Sequence, residues 1–239
     1  MTTVLLLRHG LTALTGPVLA GRRPGVGLDE RGRAQADAVA QRLEAVPLAA
    51  VVTSPLERCA QTAKLVTATQ RGSGRKPVQK TDRRLIESDY GDWTGREIKT
   101  LVKDPLWSVV QAHPAGVTFP GGESMAAMAS RAVEAVRDLD RRYADTFGED
   151  AVWLACSHGD VIKSVLADAL GMHLDLFQRI VVDPCSVSAI RYTAGRPFVL
   201  FSNDVGGDLA RLLPPPKKSR ARRASSDATV GGGAGGGTV

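Results

Sequence analysis

Cysteine is scarce in this 239-residue chain. The three present, Cys59, Cys156 and Cys185, are an odd number without CxxC spacing, which argues against a disulfide scaffold or a zinc cluster. They read instead as small core residues of a reduced, cytoplasmic protein. Long apolar runs are also missing. None approaches the roughly 20 residues that cross a bilayer, so no membrane partner is expected. The N-terminus lacks the basic region, apolar stretch and small-residue cleavage site of a signal peptide. An evenly spread positive charge is absent too, although the net charge is +6. From Pro214 onward five cations (Lys217, Lys218, Arg220, Arg222, Arg223) face one anion, Asp227. That segment alone accounts for +4, so the remainder is only mildly basic and no specific nucleic-acid surface is indicated.

Histidine is rare as well, with four in the chain, yet two of them share one context. Val4-Leu5-Leu6-Leu7 runs into Arg8-His9-Gly10, and Ala151-Val152-Trp153-Leu154-Ala155-Cys156 runs into Ser157-His158-Gly159. Short unbroken apolar runs suit strands buried on both faces of a parallel sheet. The polar residues then fall at the C-terminal strand ends, where open α/β sheets bind ligands. One such histidine reads as a satisfied strand-end residue; two with matching context point to a shared site.

The stretches between alternate in kind. Residues 11–28 read as a Gly/Pro-rich loop. A helix capped by Asp29 is expected to about Val46, then a strand over 48–52. Thr53-Ser54-Pro55 is expected to cap a helix over about 56–69. A short strand at Val78–Thr81, an irregular segment 85–94, a helix near 94–103 and a broken stretch through His113-Pro114 follow. Ser124 opens a long helix with Met125, Met128, Ala132, Val136 and Leu139 on one face. A helix over about 160–170 and strands near 185–192 and 198–202 complete the pattern. Strands alternating with helices imply an α/β fold: three layers, with a mostly parallel central sheet and helices on both faces. One domain is expected over residues 1–213, followed by a disordered Pro/basic/Gly-rich tail over 214–239.

A neutral imidazole is a nucleophile near neutral pH. A neighbouring cation disfavours imidazolium and attracts an anion, and an arginine can hold two phosphoryl oxygens at once. Arg8 with His9 therefore suggests phosphoryl transfer through a phosphohistidine. Adjacent strand residues point to opposite faces, so both serve one site only if the chain leaves strand geometry there. Arg58 falls at the same sheet edge, at a helix start that favours anions. A leaving alkoxide needs a proton. Glu87 is the first choice as its donor, with Asp89 and Asp92 left open as rivals. His158 would hydrogen-bond the phosphoryl group. The loop 11–28, the segment 95–120 and Arg83-Arg84 are candidates for the leaving-group side.

These residues resemble the signature of the histidine phosphatase superfamily, which includes the cofactor-dependent phosphoglycerate mutases. The likeness runs through Leu7 to Gly10, Leu28 to Gly32, Ser54 to Ala63, Glu87 with Tyr90 to Gly95, Gly121 to Ser124 and Ser157 to Gly159, and covers about residues 3–202. It is greatest toward actinobacterial proteins labelled as probable phosphoglycerate mutases or phosphomutases. The resemblance implies that His9 is the phosphorylated nucleophile and that Arg8, Arg58 and His158 form the phosphate pocket. It also implies that Glu87 is the acid and later the base, that Gly21 and Gly159 lie by the substrate, and that no metal or other cofactor is needed. Three positions depart from it. Thr15 replaces an asparagine, Ser88 an arginine of the true mutases, and Asp160 an asparagine after the second His-Gly. The expected activity is hydrolysis of a small phosphorylated metabolite, with a phosphoglycerate mutase-type phosphomutase as the alternative. A non-catalytic phosphate-binding module is opposed by the complete set of five residues, and a metal hydrolase by the lack of ligand spacing.

Overall fold

A computed structural model describes residues 2–207 and Gly231. Six strands form one sheet: β1 (Thr3–Arg8), β2 (Leu48–Thr53), β3 (Val78–Thr81), β4 (Val152–Ser157), β5 (Val187–Tyr192) and β6 (Pro197–Asp204). Their order is β3-β2-β4-β1-β5-β6. The first four in that order are parallel, and β5 runs antiparallel to both its neighbours.

Alternation along the strands sends side chains to two separate cores. Leu5, Leu7, Val51, Leu154 and Cys156 pack with Ala36, Val39, Cys59 and Val66, which belong to α1 (Glu30–Arg42) and α2 (Glu57–Gly72). Val4, Leu6, Val52, Trp153 and Ala155 pack on the other face with Met128, Val136, Val161 and Val165, from α5 (Met125–Phe147) and α6 (Gly159–Ala169). The arrangement is the expected three-layer α/β fold. The three cysteines are free and buried. Among the described residues no helix is long and apolar enough to cross a membrane. The tail expected over 214–239 lies outside the described residues apart from Gly231.

Local detail corrects four expectations. The first helix stops at Arg42, short of Val46: the chain tightens into turns there, with Glu44 N–H donating to Gln41 C=O and Val46 N–H to Leu43 C=O, and Gln70 Nε2 also donates to the Leu43 carbonyl at 2.8 Å. Thr53-Ser54-Pro55 does not cap α2. The N-cap is Leu56, without a side-chain bond, and Ser54 Oγ sits 2.8 Å from Nε2 of His158. The helix expected over 94–103 is only α3 (Ile98–Leu101), since Gly95 N–H and Arg96 C=O pair with Leu19. A second helix, α4 (Pro105–Ala112), occupies the stretch read as broken, capped by the Asp104 carboxylate on Leu106 N–H.

Candidate active site

Strand register explains why the two His-Gly motifs meet. In the parallel β1–β4 pair Arg8 stands opposite Ser157, so the next residues, His9 and His158, leave neighbouring strands together. Their ring centroids are 5.2 Å apart. β1 ends at Arg8, and His9 N–H still donates to Ser157 C=O at 3.0 Å. The departure from strand geometry lets Arg8 and His9 face one pocket. Its bend requires close backbone packing: a Cβ on Gly10 would stand 2.5 Å from the Gly32 carbonyl oxygen.

The His9 ring is fixed in one tautomer. Nδ1 is 2.7 Å from the Gly10 carbonyl oxygen, which can only accept, so Nδ1 carries the proton. Nε2 is left with its lone pair and accepts from Arg58 Nε at 3.1 Å. Burial, then the charges of Arg58 and Arg8, hold the imidazole well below the ordinary histidine value, so it is neutral across the physiological range. Arg58 is on the second residue of α2, the helix that follows β2. Its Nη2 donates to Gly21 C=O at 2.8 Å and lies 3.2 Å from Nδ1 of His158. Its buried Nη1 has no hydrogen-bond partner. Arg8 Nη1 donates to Val182 C=O at 2.8 Å, and its Nη2 donates to Gly231 C=O at 3.2 Å.

Glu87 is buried in the same site. Its Oε1 accepts from Ser88 N–H at 2.9 Å, and Oε2 lies 3.9 Å from His158 Nδ1. Burial and the charge of Asp160 push its carboxyl up to about 7, against the opposing pull of Arg58 and Arg8. Two arginines clamp its backbone, as Arg22 Nε (2.8 Å) and Arg131 Nη2 (3.1 Å) both donate to its carbonyl. The rivals are elsewhere: Asp89 is paired with Arg22 and Asp92 is exposed.

Arg8, His9, Arg58, Glu87 and Gly21 line one pocket, with Thr12, Thr15, Leu19, Tyr90 and Ile98 around them. Gly21 takes a left-handed conformation (φ +51°), and a Cβ there would come 2.9 Å from Thr94 Oγ1. His158 is fully buried behind Arg58 and is not on the pocket wall; Gly159 begins α6 and is not on it either. The loop 11–28 supplies much of the wall, and the segment 95–120 contributes Ile98. The Arg83-Arg84 pair does not. Arg84 is drawn to Asp82 and to Asp138 on α5. Sequence reasoning missed Arg22 and Arg131, whose contacts to Glu87 span 65 and 44 residues and leave no local pattern. It also missed Tyr90, although it stands within the Glu87 motif. Its hydroxyl donates to Asp160 Oδ2 at 2.8 Å.

Among the described residues no three His, Cys, Asp or Glu side chains are grouped to hold a metal ion. A wider groove between α5 and α6, lined by Val133, Arg137, Asp168 and Met172, carries no histidine or cysteine. The chemistry is concentrated at the β1–β4 edge.

The model of the histidine phosphatase superfamily (branch 1) matches residues 4–205. A probable phosphoglycerate mutase, GpmB of Proteus mirabilis, is 30% identical over 195 residues, 80% of this chain and 86% of its own. Phosphoserine phosphatase 1 of Hydrogenobacter thermophilus is 29% identical over 210 residues, 85% of this chain and 92% of its own. The solved structure of Bacillus stearothermophilus YhfR superposes with a TM-score of 0.72 at 32% identity, covering 86% of this chain and 98% of that one. Mycobacterial proteins are among the other relatives.

Proposed function

The chain belongs to the histidine phosphatase superfamily, and from that premise we propose that it hydrolyses a small phosphomonoester through a phosphohistidine on His9. The observation that carries this reading is the state of the two reacting groups. His9 presents an unprotonated Nε2 to the Arg58 guanidinium, while the Glu87 carboxyl in the same pocket is pushed up to about 7.

In the first step Arg8 and the unpartnered Nη1 of Arg58 take phosphoryl oxygens. The arriving phosphoryl group displaces the Arg58 contact to Nε2, and the Nε2 lone pair attacks phosphorus. The P–O ester bond breaks, and the Glu87 carboxyl gives its proton to the departing alkoxide. Arg8 and Arg58 spread the charge on the equatorial oxygens, and His158, off the pocket wall, acts through Arg58, whose Nη2 lies 3.2 Å from its Nδ1. In the second step the Glu87 carboxylate takes a proton from water. The oxygen attacks phosphorus, the N–P bond breaks with its electrons returning to Nε2, and inorganic phosphate leaves.

Hydrolysis is favoured over phosphomutase action by the lining of the pocket. Among the described residues its cations are Arg8 and Arg58, both committed to the transferring phosphoryl group. Ser88 follows the acid; its hydroxyl is buried 3.9 Å from Met125 Sδ and brings no charge for a second anionic group. A mutase must hold a substrate carboxylate and a bisphosphate against water. The partner we propose is a small phosphorylated substrate, and we place the protein in the cytoplasm, where its free, buried cysteines fit.

Phosphate release from p-nitrophenyl phosphate, with EDTA present and no bisphosphate added, tests the reading. Turnover that vanishes in His9→Ala, together with acid-labile phosphate on wild-type His9, is expected. Phosphoryl exchange only after a bisphosphate is added would establish the mutase instead.

A further inference from the structure

Asp160 is the buried charge in this site that the two-step reaction leaves without a task. It is the second residue of α6 and fully buried. One oxygen, Oδ2, accepts from the Tyr90 hydroxyl at 2.8 Å. The other, Oδ1, is buried with no hydrogen-bond partner, a costly state for a carboxylate oxygen.

Asp160 lies just behind the pocket wall, and one residue on that wall reaches its carboxylate. Gly231 lies on the pocket wall. Its N–H donates to Asp160 Oδ2 at 2.9 Å, while its carbonyl oxygen accepts from Arg8 Nη2 at 3.2 Å. One residue thus bridges the anion and the phosphate-binding cation. The nitrogen and oxygen of a glycine are joined through two carbons, N–Cα–C–O. That is the connectivity of X–C–C–O in a phosphate ester whose second carbon carries a donor X. The walls beside the linking carbon leave little room: a methyl on the Gly231 α-carbon would stand 3.3 Å from Leu19 Cδ1 and 3.7 Å from Tyr90 Oη.

We propose that Asp160 is a specificity-determining residue that accepts a hydrogen bond from a hydroxyl or ammonium group on the carbon next to the ester carbon, so that the substrates are β-hydroxyalkyl or β-aminoalkyl phosphates. This rests on the hydrolytic reading above and narrows it. A leaving group with such a donor satisfies the carboxylate. One with a methyl in its place leaves a buried charge facing carbon, and one with a carboxylate there meets like charge. Sites built to hydrogen-bond a substrate donor reject analogues that lack it more strongly than apolar pockets reject size.

Three esters of equal size isolate the effect: 2-aminoethyl, 2-hydroxyethyl and n-propyl phosphate. With the wild-type chain, kcat/KM for the first two is expected to exceed that for the propyl ester by about 10- to 100-fold, the range of a charge-assisted hydrogen bond. Read as ratios, the preference cancels any general loss of activity in a variant. In Asp160→Ala both ratios are expected to fall to near one. Asp160→Asn, which keeps the shape, is expected to lose the advantage of the ammonium ester over the hydroxyl ester, and it serves if the alanine variant does not fold. Equal rates on the three esters in wild type, or ratios unchanged in the folded variants, overturn the proposal. If neither these esters nor p-nitrophenyl phosphate is hydrolysed, the hydrolytic reading fails by itself. Calorimetric binding of 3-aminopropyl-, 3-hydroxypropyl- and butylphosphonate then decides the specificity separately: tighter binding of the first two upholds it, and equal affinity overturns it.

Discussion

Nε of Arg58 donates to Nε2 of His9 at 3.1 Å, so the cation that would hold the transferring phosphoryl group also keeps the nucleophile's lone pair free of a proton. The two roles share a cause. After burial, the largest influence holding the His9 imidazole down is the Arg58 charge, with Arg8 behind it. Removing Arg58 therefore changes the pH profile as well as phosphate affinity. In Arg58→Ala the His9 value is expected to rise toward the ordinary histidine range. The acidic limb of kcat/KM should then move to higher pH, and activity at neutrality should fall by about 100- to 1,000-fold. Steady-state rates measured from pH 4 to 9 check this; an unmoved limb with lower kcat would mean Arg58 does not tune the imidazole.

In the proposed reaction His9→Ala removes the attacking atom but leaves the arginines that would bind phosphate. Turnover should drop by at least about a thousand-fold while inorganic phosphate still binds. Calorimetric titration with phosphate separates the two effects. Loss of phosphate binding in parallel with activity would show that the imidazole supports the pocket more than it reacts.

The layered fold was legible because its signals are local. The four-residue apolar run before His9 and its echo before His158 each mark a buried strand, and Met125, Met128, Ala132, Val136 and Leu139 repeat at helical spacing; all five are buried in α5. Arg8, His9 and His158 come together because Arg8 and Ser157 share a register, which no single motif contains. What escaped the sequence was long-range competition for polar groups. Ser54 looked like a helix cap, but its hydroxyl is claimed by His158, 104 residues away. The turn over Leu43 to Val46 is backed by Gln70, 27 residues on, whose Nε2 donates to the Leu43 carbonyl. The clamp of Arg22 and Arg131 on the Glu87 carbonyl joins three separated segments. By contrast, Asp104-Pro105 carries an ordinary helix-start signal. There the weak apolar periodicity of the segment, and not a distant partner, hid α4.

Gly32 couples the first helix to the turn that follows His9. It is the third residue of α1, its N–H bonds the Asp29 cap at 2.7 Å, and a Cβ would fall within van der Waals overlap of the Leu11 backbone. Gly32→Ala must push residues 10–12 away from the helix. A destabilisation of about 2–4 kcal/mol is expected, with kcat reduced because His9 precedes the displaced turn. Chemical denaturation and p-nitrophenyl phosphate turnover on the same preparation check both. An unchanged midpoint would mean that the turn relaxes freely.

Glu87 links the pH dependence of catalysis to that of stability. Its carboxyl, near 4.5 when free, is raised to about 7 by burial and by Asp160. The folded chain thus binds this proton more tightly than the unfolded chain, and the group's contribution to stability falls as pH rises from about 4.5 through about 7. Glu87→Gln abolishes that slope, so the variant should gain stability over wild type with rising pH, read from thermal midpoints at pH 5 and pH 8. In the proposed reaction the same proton goes to the leaving oxygen. Alkyl phosphates, whose alkoxides are poor leaving groups, should lose kcat/KM above about pH 7 in wild type and lose about 100-fold or more in Glu87→Gln. p-Nitrophenyl phosphate, whose phenolate leaves unassisted, should lose far less in the bond-breaking step. Asp160→Asn removes one of the two influences that raise Glu87, so its basic limb should move to lower pH. A limb that stays at about 7 in Asp160→Asn but disappears in Glu87→Gln would assign the whole elevation to burial. A limb that survives in Glu87→Gln would place the acid on another residue.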